Sequence, residues 1–98
     1  MIADFSIAPI GTGESLSRYI AETFQIIQES GLSYEHHAMG TNIEGDWDEV
    51  MALLKTCRDR MLERANRVSL SIKIDDRKGA KNRMTHKVAS ARAKIKTS

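Results

Sequence analysis

The sequence contains one cysteine, one proline and few aromatic residues, which make up 5% of the chain. Because Cys57 has no second cysteine to pair with, no internal disulfide forms, and we expect a reducing, cytoplasmic environment. No apolar run approaches the about 20 residues that cross a bilayer, so we expect no membrane partner. The apolar start of the chain carries Asp4 and no basic residue, unlike a secretory signal peptide.

The rest of the composition is that of an ordinary globular protein. The chain has 98 residues, of which 41% are hydrophobic and 29% are charged. A chain of this length usually forms one domain and buries enough surface to hold a core without disulfides. We therefore expect a single domain over residues 1–98, in which residues 80–98 form a basic C-terminal helix.

Charge is divided unevenly between the two halves of the chain. Residues 1–50 contain one basic and nine acidic residues, whereas residues 51–98 contain fourteen basic and four acidic residues. A basic half can bind nucleic acid, or it can pack on acidic surface of the same or another subunit. Nucleic acid is the less favoured partner, because the basic tail has no interleaved aromatic residues on which bases could stack.

Alternation of apolar and polar residues predicts four β-strands. The first runs over residues 2–9, and we expect it to end at Pro9, which has no N–H for the sheet. The next two cover residues 33–39 and 41–44 and are separated by Gly40. The fourth, over residues 68–74, has the clearest alternation.

Apolar residues at helical spacing predict two helices in the domain and a third over residues 82–95. The first helix begins after the N-cap Ser15 and ends at Gly31. The second opens with a capping box formed by Asp46 and Glu49. The predicted apolar stripes are Leu16, Tyr19, Ile20, Phe24 and Ile27 in the first helix, and Trp47, Val50, Met51, Leu54, Cys57 and Met61 in the second.

The order of these elements is typical of an α+β protein, the ferredoxin-like βαββαβ sandwich, with an extra C-terminal helix. Two helices cover one face of the sheet, and the other face can meet water, receive a small ligand or pack on another subunit. The complementary charges of the two halves favour a symmetric homo-oligomer over a solvated monomer. The residues predicted on the uncovered face are small and polar: Asp4, Ser6, Ala8, Ser69, Ser71 and Lys73.

The residue types that carry catalysis or bind metals form no recognisable site. His36 and His37 are neighbours on a strand, so they point to opposite faces and cannot both bind one metal. Cys57 lies on an apolar stripe, where a cysteine acts as a small hydrophobic residue. No nucleophile with a partner base and no carboxylate pair stands out. We therefore expect no enzyme, no cofactor and no metal.

A glycine-bounded segment is the best candidate for ligand binding. Gly40 and Gly45 enclose Thr41, Asn42 and Glu44, whose side chains supply hydrogen-bond donors and acceptors for a neutral or cationic heterocycle. The same residues also fit an ordinary solvated connection between a strand and a helix. The chemistry alone favours neither interpretation.

Short segments along nearly the whole chain match one known family in the same order. They cover residues 7–11, 15–17, 39–41, 43–46, 48–50, 67–68 and 72–77. These segments resemble the family of small thiamine-binding proteins once catalogued as a domain of unknown function. The resemblance implies a ferredoxin-like fold, assembly into dimers or tetramers, and binding of thiamine or its half, hydroxymethylpyrimidine, without catalysis.

With thiamine as the ligand, Thr41 and Glu44 are the principal predicted contacts. Thr41 can bond the aminopyrimidine, Glu44 or Asp4 can offset the thiazolium cation, and Trp47 can stack on it. Two other hypotheses stay open: an oligomeric regulatory module that binds another metabolite, and a nucleic-acid-binding module. The predicted ligand-binding residues are Thr41, Glu44, Ser6, Asp4, Met39 and Trp47.

Overall fold

The computed structural model describes residues 1–13, 16–79 and 91. In that part of the chain, four strands and two helices follow one another in the predicted βαββαβ order. The predicted N-cap Ser15 and nearly all of the predicted C-terminal helix lie outside the described residues. The elements are β1 (Ile2–Ile10), α1 (Leu16–Glu29), β2 (Ser33–His37), β3 (Gly40–Glu44), α2 (Trp47–Leu62) and β4 (Arg67–Asp75).

The four strands form one antiparallel sheet in the order β2-β3-β1-β4, which confirms the ferredoxin-like arrangement. Consecutive strands β2 and β3 form a hairpin, and the two helical connections place β1 between β3 and β4. The pairing of β1 is unequal on its two edges. It pairs with β4 from Ile2 to Ile10, but with β3 only from Ile2 to Phe5.

The core lies between the helices and one face of the sheet. Ala3 and Phe5 of β1 are buried there beside Ile43 of β3, in agreement with the alternation of these strands. Cys57 is also buried, and desolvation raises the pKa of its thiol to about 11, as expected for an unreactive, space-filling cysteine. The buried residues of α2 are Val50, Leu53, Leu54, Cys57 and Met61.

Three predictions about these elements are wrong. Gly40 does not separate β2 from β3 but is the first residue of β3, and residues 38 and 39, predicted as strand, form the turn. Trp47 is not part of the core stripe of α2, because its side chain is 55% exposed and the buried stripe begins at Val50. Side chains in an α-helix point back toward its N-terminus, so the side chain of the first residue has no preceding helical turn to pack against. Pro9 does not end β1, which continues to Ile10, and Pro9 itself pairs with Val68.

The opposite face of the sheet is open, as predicted. Asp4 and Ser6 of β1 and Ser71 and Lys73 of β4 are exposed, with each residue of β1 directly opposite one of β4. Residues that lie opposite one another across the sheet therefore share a face, and successive residues along each strand alternate between the covered apolar face and the open polar one.

The predicted capping box at the start of α2 is confirmed. The N–H of Glu49 donates to Oδ1 of Asp46 over 2.9 Å, and the N–H of Asp46 donates to Oε1 of Glu49 over 3.2 Å. Two amide groups without helical partners are satisfied in this way.

Replacing Asp46 by Ala should lower the free energy of unfolding by about 1 kcal/mol, because it removes the acceptor for the Glu49 N–H. Asp46→Asn is the matched control, since asparagine caps helices about as well and should keep most of that stability. Urea unfolding of both variants measures the difference. Equal losses in the two variants would show that the cap does not stabilise α2.

Candidate ligand-binding site

A cavity of about 410 Å³ lies between α1, β1 and the turn that joins β2 to β3. Its volume is within the range of small-molecule sites, about 300–1,000 Å³. The residues that line it come from three places: Phe5, Ser6 and Ile7 from β1, Ile20, Thr23 and Phe24 from α1, and residues 37–41 from the hairpin.

The cavity explains why the apolar stripe of α1 is only partly buried. Thr23 and Ile27 are buried, whereas Ile20 and Phe24 are 44% and 42% exposed and line the cavity. The predicted stripe therefore divides between the core and the wall of the site. An amphipathic pattern cannot distinguish these two environments, because both favour apolar side chains.

Gly40 brings the end of the hairpin close to β1. A Cβ on Gly40 would lie 2.5 Å from the carbonyl oxygen of Phe5 and 3.3 Å from Cε1 of His37. Gly40 does not have a positive φ, so the close approach alone requires glycine here. The turn itself consists of Ala38 and Met39, and the 84% exposed side chain of Met39 is at the mouth of the cavity.

Thr41 supplies a buried hydroxyl group beside an aromatic wall. It is only 5% exposed, and its Oγ1 lies 2.9 Å from Nδ1 of His36, on the neighbouring strand. The ring of His36 stacks on Phe24, with 3.8 Å between ring centroids and 19° between planes. Helix α1 and strand β2 are therefore joined at this point, and Phe24 and Thr41 face the same cavity.

The hydroxyl of Thr23 is used differently. Its Oγ1 donates to the carbonyl oxygen of Tyr19 within the same helix, over 2.9 Å. This bond occupies the only proton of the hydroxyl, so Thr23 can offer a ligand acceptor capacity alone. Thr41 can offer either role, depending on which ring nitrogen of His36 carries the proton.

His37 connects the hairpin turn to β1 on the open side of the sheet. Its Nε2 lies 2.8 Å from Oδ1 of Asp4, and its Nδ1 accepts the N–H of Met39 over 3.3 Å. This pattern fits the neutral imidazole with its proton on Nε2. Because the carboxylate of Asp4 already accepts this bond, it is held against the turn and not directed into the cavity.

The structure brings three of the six predicted ligand-binding residues together. Thr41, Ser6 and Met39 line the cavity. Asp4 lines a smaller adjoining hollow of about 190 Å³, which shares Ser6 and Met39 with the cavity and is bordered by Lys73. Glu44 and Trp47 line neither.

The separation of Glu44 from Thr41 follows from strand geometry. The two residues are three positions apart on β3, so their side chains point to opposite faces and their Cα atoms are roughly 10 Å apart. Glu44 pairs with Ile2 and Ser33 at the far end of β3. None of the described residues that line the cavity is Asp or Glu, so this lining suits a neutral ring.

Phe24, His36 and His37 were not predicted as parts of the site. The sequence places Phe24 in a core stripe and shows the two histidines only as neighbours that face opposite ways, which the structure confirms. Their roles depend on the register in which His36 lies opposite Thr41 and His37 opposite Gly40. The predicted strands are separated by Gly40 alone, and this short gap is the signal that could have indicated a tight hairpin, whose turn in the structure is Ala38 and Met39.

A second hollow, of about 470 Å³, lies between the two helices and is larger than the candidate site. It is bordered by Glu29, Glu49 and Arg60, and none of the described residues that line it is aromatic. We place the candidate site in the smaller cavity because only that one combines aromatic, apolar and buried polar groups.

Within the described residues, no three His, Cys, Asp or Glu side chains are grouped closely enough to hold a metal ion. No helix in the same part of the chain has both the length and the apolar character needed to cross a membrane.

Comparison with known proteins assigns the family. Residues 3–92 match the family described as thiamine-binding protein. A UPF0045 protein of Mycobacterium tuberculosis is 41% identical over 91 residues, which cover 92% of this chain and 89% of the relative. The crystal structure of a hypothetical protein from Methanocaldococcus jannaschii, 36% identical, covers 92% of this chain and 93% of that one with a TM-score of 0.83.

A Thermotoga maritima structure at 23% identity shows the same fold, with a TM-score of 0.81 over 92% of this chain and 96% of that one. The segments quoted from the sequence, the βαββαβ sheet and the match over residues 3–92 agree with one another. The chain belongs to the thiamine-binding protein family.

Proposed function

We propose that the chain binds thiamine without catalysing a reaction on it, and that the pyrimidine half occupies the cavity beside α1. The observation that carries the proposal is the pairing of an aromatic wall with a buried hydroxyl group at Phe24 and Thr41. The family match supports the choice of thiamine among the heterocycles that such a cavity could hold.

The chemistry of the cavity suits an uncharged aminopyrimidine. Phe24 and Ile20 provide apolar surface for the faces of the ring, and Thr41 provides a hydrogen bond to its edge. The thiazolium half carries a fixed positive charge, and the carboxylate of Asp4 lines the adjoining hollow, which shares Ser6 and Met39 with the cavity. The thiazolium therefore lies toward Met39 and Asp4, where it meets both water and a negative charge.

Calorimetric titration with thiamine and with hydroxymethylpyrimidine tests the proposal. Both ligands should release heat with one site per subunit, and both should raise the thermal unfolding temperature, with the larger shift for the tighter ligand at equal concentration. The thiazole alcohol alone, which lacks the pyrimidine, is the control and should bind more weakly. Absence of heat and of any thermal shift at millimolar thiamine would reject thiamine as the ligand.

The proposal includes a cytoplasmic homo-oligomer, a dimer or a tetramer. The open face of the sheet supports it, because a layer of small and paired charged residues can pack on a second copy. Native mass spectrometry of protein purified from its source measures the subunit number and any retained ligand together. A monomer would reject the oligomer, and a different retained metabolite would favour the alternative of another regulatory ligand.

The described residues contain nothing that supports nucleic-acid binding. Their open sheet face presents no Phe, Tyr or Trp for stacking, and of its basic residues Lys73 lies opposite the acidic Asp4 and Arg67 opposite Ile10.

A further inference from the structure

Strand β1 has an edge next to the cavity that no strand covers in the described part of the chain. Its pairing with β3 ends at Phe5, opposite Thr41, because the hairpin turns back at residues 38–39. On its other edge, β1 continues to pair with β4 as far as Ile10. Within the described sheet, residues 6–10 of β1 are therefore paired on one side only, and of these Ser6 and Ile7 line the cavity.

The N–H and C=O groups of successive residues in β1 point alternately toward its two neighbouring strands, so the residues that face this edge can be identified. Met1 exchanges two hydrogen bonds with Gly45: its amino group donates over 2.7 Å, and its carbonyl oxygen accepts over 3.1 Å. In an antiparallel strand the N–H and C=O of one residue point to the same side, and the side alternates from one residue to the next. Odd-numbered residues of β1 therefore direct these groups toward β3.

Phe5 follows this rule, since its carbonyl oxygen is the atom closest to the position of an added Cβ on Gly40 of β3. Ile7 is the next odd-numbered residue, and β3 has already ended where it lies. By the same alternation, its N–H and C=O point outward from the edge of β1 that borders the cavity.

The position of Pro9 also indicates that odd-numbered residues of β1 direct their main-chain groups away from β4. It lies inside β1, opposite Val68, and two residues beyond Ile7 on the same edge. A sheet accepts proline where the missing N–H would have no strand partner. The strand can therefore run through Pro9 to Ile10 without losing a hydrogen bond to β4. Pro9 itself is buried, so the part of this edge that opens on the cavity is limited to Ile7.

From this geometry, we infer that the main chain of Ile7 recognises the edge of the aminopyrimidine ring. The carbonyl oxygen accepts a hydrogen bond from the exocyclic amino group, and the N–H donates to the adjacent ring nitrogen. The inference rests on the proposed function and specifies the ligand class as heterocycles that carry an amino group beside a ring nitrogen. Thr41 then contacts the same ring from the opposite strand.

Amide hydrogen exchange, read residue by residue by NMR, tests the role of Ile7. In the free protein its amide should exchange much faster than those of Ser6 and Ala8, whose groups face β4. Saturation with hydroxymethylpyrimidine should slow exchange at Ile7 by about tenfold or more and leave Ser6 and Ala8 unchanged.

Calorimetry on the same sample separates the two proposals. Heat of binding with no change in exchange at Ile7 would overturn the role of Ile7 and leave thiamine binding intact. Absence of binding would overturn both. An Ile7 amide that is already protected in the free protein would show that the edge is covered and would overturn the role of Ile7 alone.

A ligand analogue and a pair of variants provide an independent test. The pyrimidine that lacks the amino group should bind about tenfold more weakly, because the Ile7 carbonyl loses its donor. Ile7→Pro, which removes the N–H, should weaken binding of hydroxymethylpyrimidine by about tenfold relative to Ile7→Ala, which keeps it. Equal affinities for the two pyrimidines would overturn the inference, even if Ile7→Pro failed to fold.

Discussion

Replacing Gly40 by Ala should lower the free energy of unfolding by about 3 kcal/mol, the largest stability effect that we expect from one added methyl group. The added Cβ would lie 2.5 Å from the carbonyl oxygen of Phe5, which belongs to the backbone of a central strand. That oxygen cannot move without disturbing the pairing of β1 with both neighbours. Thermal unfolding should show a melting temperature roughly 10–20 °C lower.

Gly45→Ala is the matched control, at the other end of β3. Its Cβ would meet only side-chain atoms, of Leu32 and Val50, at 3.3 Å, and these can shift by a few tenths of an ångström. We expect a change of less than about 1 kcal/mol there. Alanine normally favours a strand over glycine, so a stabilised Gly40→Ala variant would show that the hairpin does not approach β1 this closely.

Replacing Thr41 by Val should weaken thiamine binding by about tenfold and leave the fold intact, the largest loss of affinity expected from a side-chain substitution. Valine has nearly the shape of threonine, so the packing of this buried position is retained while the hydroxyl is lost. His36 Nδ1 also loses its partner, which should cost about 1 kcal/mol of stability. Calorimetry and urea unfolding measure the two effects separately.

Two further substitutions serve as controls for Thr41→Val. Thr41→Ser keeps the hydroxyl and should retain most of the affinity. Thr23→Val removes a hydroxyl from the same cavity, but one whose proton is committed to Tyr19, so we expect a smaller loss. Comparable affinity losses at positions 23 and 41 would show that the ligand does not single out the hydroxyl held by His36.

The secondary structure could be predicted well because its signals are local. The alternation in residues 68–74 and the capping box at Asp46 and Glu49 depend on neighbours within a few positions. The errors at Pro9 and Trp47 have the opposite origin. Whether a strand tolerates proline depends on which of its edges is paired, and whether the first residue of a helix is buried depends on what lies beneath it.

The candidate site was predicted in part, for a related reason. A glycine-bounded polar segment pointed to Thr41, but it also included Glu44, which lies on the other face and at the other end of β3. Sequence proximity groups residues that a strand separates, because successive side chains alternate between faces. Phe24 and His36 reach Thr41 from two other elements, and no spacing in the sequence connects the three.

By itself, the amino-acid sequence determined the order of the elements, the family and the polar character of the open sheet face. Only the tertiary structure decided that β1 extends beyond its pairing with β3, and that the cavity left there is lined by the exposed residues of α1. The reason is that element type follows from local periodicity, whereas a cavity is made where segments distant in sequence fail to cover one another.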